Sequence, residues 1–230
     1  MVVCEARCSG VERAIVVRHG ATLSYRDGGL SAEGRAQLRA LGDRLRSERG
    51  GWDRVLVFTS PSRRCRESAS AIVARLRSAL PATRSPIVRD ALRPVGVLVH
   101  GRMFDLGALH LPPGRVAADV ARFWALQRGG DDPFQAWERG ELASLEPRDW
   151  VSSRLEGFAE ELWSVARDTL PIAVTHAENV RLLEANWGIQ PGSKPRFGEA
   201  RCYVRRLGGA VDMLTAGCRV GVGARECGRG

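Results

Sequence analysis

A histidine that ends an apolar run and is preceded by arginine, in Arg18-His19-Gly20, is the first place in this chain where chemistry can be read. A neutral imidazole can attack phosphorus, dividing the hydrolysis of a phosphate ester into formation and breakdown of a phosphoenzyme. Phosphoryl transfer spreads negative charge over the equatorial oxygens. The protein's main task is then to place positive charge around them, and bidentate guanidinium forks suit that task better than ammonium groups. Arg18 and the pair Arg63-Arg64 can supply such forks, and His176, at the end of another apolar run, adds a hydrogen-bond donor. Ala177 opens the segment after it, where the free backbone N–H groups of a helix start would form an anion site. A lone histidine at a strand end is more often a packed core residue than a catalyst; the joint occurrence of these segments favours chemistry.

Such residues work only if a scaffold gathers them. Ala14-Ile-Val-Val17 is written as a buried parallel strand that delivers polar residues at its C-terminal end. Ser31 is expected to cap a helix to about Ser47, with Leu38, Leu41 and Leu45 at helical spacing. The pattern repeats in Val55-Leu-Val-Phe58, where Thr59-Ser60 reads as a cap and Pro61 as the first residue of a helix reaching Leu80. Pro171-Ile-Ala-Val-Thr175 is a third strand, followed by a helix from Ala177 to Trp187. In an open α/β sheet ligands bind beyond the carboxyl ends of the strands, so residues distant in sequence can converge there. The expected fold is a single α/β domain over 1–230: a three-layer sandwich with a mainly parallel central sheet. The stretch from about 98 to 154, with Pro112-Pro113, Gly129-Gly130 and helical periodicity over 116–127, reads as a helical cap insertion roofing the sheet. Segments 201–207 and 210–214 read as a closing hairpin around Gly208-Gly209, and a loose tail is expected over 215–230.

Four ordered motifs resemble the histidine phosphatase superfamily, which includes the cofactor-dependent phosphoglycerate mutases. They are Arg18-His19-Gly20, Leu30-Ser31-x-x-Gly34-x-x-Gln37, Thr59-Ser60-Pro61-Ser62-Arg63-Arg64 and Val174-Thr175-His176. The resemblance spans roughly 14 to 187 and is thin in the insertion. It implies His19 as nucleophile, with Arg18, Arg64 and His176 completing the phosphate pocket. Aligning Ser60-Pro61 and Ser68-Ala69 selects Arg64 over Arg63, which is then expected in solvent. Mutase-like members carry an acid after Asp-x-x-Leu-x, but Asp90-Ala-Leu92-Arg93-Pro94 puts proline there. His176-Ala177-Glu178 instead resembles the His-Ala-Glu motif of the inositol-polyphosphate-phosphatase branch, which transfers the role of acid to Glu178. Inositol phosphates do not follow as substrates, because that branch's continuation after Arg-His-Gly is missing. A carboxyl one turn into a helix beside the phosphate could reach a leaving-group oxygen; the bland alternative is an acid favoured by the helix dipole. Asp90, Asp105 and His100 are fallback donors. The loop after Gly20 keeps Thr22, which either contacts phosphate or caps the turn, but lacks the mutase acid at Ala21 and its asparagine at Tyr25. Arg102 is a candidate second anion contact, with a solvated arginine as the bland reading. Trp124, Trp137, Trp150 and Trp163 are expected to anchor helix packing before any is a substrate wall.

Composition narrows the function further. A net charge of +9 over 230 residues could suggest nucleic acid, but Lys194 is the sole lysine and the arginines are spread through every segment with no interleaved aromatic stripe. The excess suits small anionic substrates instead. No apolar run is long enough to span a bilayer, and Glu5 and Arg7 interrupt any signal-peptide core, so a cytoplasmic protein is expected. Cys4, Cys8, Cys65, Cys202, Cys218 and Cys227 form no Cys-x-x-Cys pair and the histidines lack ligand spacing beside them, so neither disulfide, metal nor cofactor is expected. The sequence therefore reads as a metal-independent phosphomonoesterase acting on a small phosphorylated metabolite. Its rivals are a phosphomutase, which would move phosphate between substrate positions, and an impaired phosphate-binding or regulatory protein.

Overall fold

The structure is a computed structural model that describes residues 12–23, 28–48, 52–106, 114–165, 168–190 and 192–214. Tyr25, Gly50-Gly51, Pro112-Pro113, Cys4, Cys8, Cys218, Cys227, the N-terminal segment and the tail lie outside the described residues. The described elements are, in chain order, β1 (Glu12–Arg18), α1 (Ala32–Ser47), β2 (Arg54–Thr59), α2 (Arg63–Leu76), β3 (Ile87–Val88), β4 (Gly96–Val99), β5 (Arg102–Asp105), α3 (Arg115–Gly129), α4 (Pro133–Glu138), α5 (Arg148–Trp163), β6 (Thr169–Thr175), α6 (Ala177–Asn186), β7 (Ala200–Arg205) and β8 (Val211–Leu214).

Six strands form one sheet in the order β3-β2-β6-β1-β7-β8. The first four are mutually parallel, and β7 and β8 continue antiparallel. The expected mainly parallel α/β sheet is therefore present. Side-chain alternation builds a layer on each face. Ile15, Val17, Val55, Val57, Ile172 and Val174 pack with Leu38, Leu41 and Leu45 of α1 and Cys65, Ala69 and Ile72 of α2. Ala14, Val16, Phe58 and Ala173 point the other way, into a core shared with Leu155, Phe158 and Leu162 of α5 and Val180 and Leu183 of α6. Phe58 meets Phe158 edge to face, with ring centroids 5.4 Å apart.

Several boundaries differ from expectation. Ser31 does cap α1, its Oγ accepting from Gly34 N–H at 3.0 Å. Pro61, however, is not the first residue of α2: that helix starts at Arg63 after Ser62 and ends at Leu76, short of Leu80. The N-cap position falls to Ser62, and the Ser60 hydroxyl, which accepts from Ser62 N–H at 3.3 Å, also faces His176 at 3.0 Å. The insertion is not wholly helical. It opens with the β4–β5 hairpin, whose two turn residues His100 and Gly101 both have positive φ (47° and 76°), as a two-residue turn matching strand twist requires. It closes with α5, which is a sheet-covering layer and continues past residue 154. Trp137 and Trp163 are buried anchors, whereas Trp150 is 56% exposed and anchors nothing.

The segment leading from the 3-10 turn Asp90–Leu92 to Pro94 is clamped from two sides. Asn179 Nδ2 donates to the carbonyls of Leu92 and Arg93 at 3.0 and 2.9 Å, and Thr175 Oγ1 donates to Leu92 at 3.0 Å. Below it, the Glu146 carboxylate, 2% exposed, accepts both forks of Arg93 at 2.8 and 2.7 Å and also pairs with Arg154. Glu146→Ala would leave the partly buried Arg154 guanidinium without its counter-charge and Arg93 with only the exposed Asp90. The variant is expected to lose about 3 kcal/mol in urea unfolding; a loss within the range of an ordinary surface substitution would show that the cluster is not structural.

Candidate active site

The parallel register is what assembles the site. Arg18 pairs with Thr175 and Thr59 with Val174, so β1, β2 and β6 end side by side. His19 N–H donates to Thr175 O and Ser60 N–H to Val174 O, each at 3.0 Å. Arg18, His19, Ser60 and His176 thereby share one sheet edge.

His19 is 7% exposed. Its Nδ1 lies 2.9 Å from Gly20 O, and because a carbonyl only accepts, Nδ1 must carry the proton and Nε2 the lone pair. Burial, reinforced by the charges of Arg64 and Arg18, lowers its pKa to about 3 despite the opposing Gly20 hydrogen bond. The ring is thus neutral at physiological pH. The loop after it is set by close approach to α1. A Cβ on Gly34 would fall 2.1 Å from Ala21 O, and one on Gly20 would fall 2.4 Å from Leu38. Ala21 N–H donates to Gln37 Oε1 at 3.1 Å, and Gly20 N–H to Ser68 Oγ at 3.1 Å. The second motif, Leu30-Ser31-x-x-Gly34-x-x-Gln37, is therefore a cradle for the first.

His176 immediately precedes α6, with its ring 5.3 Å from that of His19. Arg64 Nη2 approaches His176 Nδ1 at 3.4 Å, and a guanidinium can only donate, so the neutral ring carries its proton on Nε2. Nε2 faces the Ser60 and Ser62 hydroxyls at 3.0 and 3.4 Å. Burial first, then Arg64, holds the His176 pKa well below its usual value. Arg64 forms no ion pair among the described residues, and its buried Nε has no hydrogen-bond partner there. An uncompensated cation of this kind suits an incoming anion. Arg63 points away and pairs with Glu67 at 2.8 Å with most of its side chain exposed, as expected. Glu178, 5% exposed at the start of α6, has its pKa raised by burial, which favours the protonated acid.

A cavity of about 260 Å³ opens over these groups. Arg18, His19, Thr22, Arg64, His176, Ala177 and Glu178 all line it, so the structure brings together seven of the eight site residues expected from sequence. The eighth, Arg102, is exposed at the start of β5 and is not among the lining residues. Among the fallback donors, His100 occupies the hairpin turn, exposed, and the Asp90 side chain is 83% exposed and paired with Arg93. The Asp105 backbone lies on β5, and its side chain is outside the described set. Pro94 does line the cavity, so the position at which mutase-like chains carry an acid is at the site but apolar here.

Sequence reasoning missed the segment Lys194–Gly198. Arg18 Nη1 donates to Pro195 O at 2.7 Å, its guanidinium carbon lies 3.8 Å from the centre of the Phe197 ring, and Phe197 lies against His19 at 5.5 Å. Gly198, with φ of 71°, returns its N–H to His19 O at 3.0 Å. The sole lysine in the chain was the available signal. Phe123, Trp124, Gln127 and Phe134 of α3 and α4 form the roof. Among the described residues no group of three or more His, Cys, Asp or Glu side chains is placed to hold a metal, and no helix is long and apolar enough to cross a membrane.

The sequence model of the histidine phosphatase superfamily (branch 1) matches residues 14–93. No curated protein matches the chain. Among solved structures, a phosphoglycerate mutase from Bacillus anthracis str. Sterne is 16% identical over 90% of this chain and 93% of its own, with a TM-score of 0.64. A mycobacterial glucosyl-3-phosphoglycerate phosphatase in complex with inorganic phosphate is 17% identical over 92% and 98%, at 0.58. A putative alpha-ribazole-5′-P phosphatase from Escherichia coli str. K-12 is 18% identical over 93% and 100%, at 0.55. At these identities the structures show the fold, and together with the sequence match they support the superfamily resemblance, whose members include phosphatases and mutases.

The neutrality of His19 can be measured. In a ring-nitrogen NMR titration His19 is expected to stay neutral from pH 8 to pH 5; a midpoint near 6.5 would contradict its desolvation. The unfolded chain takes up this proton near pH 6.5 and the folded chain only near 3. Between those values the unfolded state binds more protons, so His19 should reduce stability as the pH falls through that window.

Proposed function

We propose that the chain is a metal-independent phosphomonoesterase that forms a phosphohistidine on His19 Nε2. The observation that carries this reading is the pinned tautomer: Nδ1–H is held by Gly20 O in a desolvated, neutral ring that lines the cavity beside two arginines. That arrangement supplies a nucleophile without first requiring a base. Arg18 and Arg64 would take the phosphoryl oxygens, with the N–H group of Ala177 at the start of α6. Arrival of a dianion relieves the repulsion that Arg64 exerts on His176, so its ring can then take a proton and donate from Nδ1 to the same oxygens.

The first step forms the Nε2–P bond and breaks the ester P–O bond. The protonated Glu178 carboxyl gives its proton to the departing alkoxide, so the alcohol leaves neutral and Glu178 is left ionised. In the second step water attacks phosphorus, Glu178 takes a proton from it, the N–P bond breaks and inorganic phosphate departs. This role for Glu178 rests on the His-Ala-Glu likeness, on its position in the cavity and on its raised pKa. Proline at position 94 disfavours the mutase arrangement of acid and nucleophile. The likeness to a glucosyl-3-phosphoglycerate phosphatase and to an alpha-ribazole-5′-P phosphatase is in keeping with hydrolysis.

Phosphate release from alkyl phosphomonoesters in the presence of a chelator tests the reading. His19→Ala should abolish turnover. Glu178→Gln should lower kcat about a hundredfold or more for alkyl esters, and much less for p-nitrophenyl phosphate, whose leaving group needs no proton. With wild type, kcat/KM for alkyl esters should fall as pH rises above the raised Glu178 pKa, because the acid is lost. Full activity in His19→Ala would sink the mechanism, phosphate exchange without release would establish a mutase, and absence of both a phosphoenzyme and turnover would favour a phosphate-binding protein.

A further inference from the structure

The half of the cavity away from the phosphate groups has a consistent chemistry. Phe123, Trp124 and Phe134 face it from the cap, and Phe197, against Arg18 and His19, stands where it meets the phosphate pocket. The rings form one interlocked set: Phe123 meets Trp124 at 5.3 Å and Phe134 at 5.2 Å, both near perpendicular, and Phe134 meets Trp137 at 6.3 Å. Trp137 is 3% exposed and fixed by Nε1–H donation to Glu146 O at 2.7 Å. The roof is therefore a preformed aromatic surface bound to the same buried glutamate that clamps Arg93.

Its polar groups do not suit a charged alcohol. Lys194 Nζ is 3.2 Å from Asp132 Oδ1, and Arg181 pairs with both Asp132 and Glu138 at 2.8 Å. Lys194 is the charged group of this half of the lining, and Asp132, which also holds Arg181, already pairs its ammonium. Gln127, one helical turn from Trp124 on α3, contributes an uncharged amide. Aromatic faces that are buried or half-buried, beside one neutral amide and one cation already paired, recognise flat, mostly apolar rings.

We infer that the substrate is a phosphomonoester whose alcohol carries a flat, uncharged ring, with Trp124 and Phe134 as specificity-determining residues. This rests on the phosphatase reading for turnover, but ring recognition can be measured without turnover. Calorimetric titration would compare two non-hydrolysable probes, 2-phenylethylphosphonate and ethylphosphonate. The ring probe should bind about tenfold to a hundredfold more tightly. That ratio should shrink in Trp124→Ala and in Phe134→Leu, two variants checked by circular dichroism so that misfolding of one does not decide the result. Steady-state kinetics would compare 2-phenylethyl phosphate, ethyl phosphate and 3-phosphoglycerate, which all release an aliphatic alcohol. The highest kcat/KM should belong to the first and the lowest to the last.

Equal affinity of the two phosphonates, or a ratio unaffected by both variants, would overturn the ring inference even if every ester is hydrolysed. Preferential turnover of 3-phosphoglycerate would do the same. Tight, ring-dependent phosphonate binding with no hydrolysis would instead support the ring inference while removing the phosphatase reading.

Discussion

Two backbone hydrogen bonds, from His19 to Thr175 and from Ser60 to Val174, hold the ends of three parallel strands level, and every other feature of the site depends on that alignment. A shift of one residue in β1 against β6 would turn His19 to the opposite face of the sheet. The shared edge explains why the polar residues follow the strands directly: the strands are buried on both faces, so the first position with room for a ligand is past their carboxyl ends. It also explains the glycines at 20 and 34. The chain must leave β1 and pass within van der Waals contact of α1 before the imidazole can stand at the edge, and no side chain fits between them.

The site is costly to the folded state. Two histidines are kept neutral, a glutamate is buried at a helix start and an arginine faces the cavity without an ion-pair partner among the described residues. Each of these groups would be better solvated in the unfolded chain. What offsets them lies around the site: the paired hydrophobic layers, the Glu146 cluster, and the Glu184 carboxylate, which accepts from Tyr203 at 2.8 Å and Arg201 at 2.7 Å beneath α6. Neutral histidines beside arginines are a charge arrangement that an anion completes, so ligand and fold are expected to stabilise one another.

In the proposed reading the acid stands on α6 and not in the loop after β3, which changes what the surrounding structure must do. At position 94 the loop presents proline to the cavity, and Asn179 and Thr175 hold that loop by its carbonyls. Glu178 follows His176 by two residues and lies on the element that begins at the cavity, so the proposed nucleophile, anion site and acid are tied to two adjacent strand ends. In that reading no catalytic group comes from the aromatic roof, which leaves it to specify the alcohol.

Much of this was legible locally. Apolar runs ending in Arg18-His19 and Thr175-His176, the Ser31 cap and the helical spacing of α1 follow from neighbours in sequence, because strand burial and helix periodicity are short-range patterns. The resemblance added which of two arginines to choose. Other features were not legible. The serine at position 60 looks like a cap until His176 is beside it; the His100-Gly101 turn carries no common hairpin signature; Phe197 and Lys194 precede the antiparallel strand β7 in a segment with no motif. The sequence by itself determined the strand-end residues and the mainly parallel α/β fold. Only the tertiary structure decided the tautomer of His176, the desolvation of both histidines, the burial of Glu178 and the placing of the aromatic roof over them, because Ser60 and Arg64 reach His176 from a distant segment and desolvation is a property of the packed site and not of any one segment.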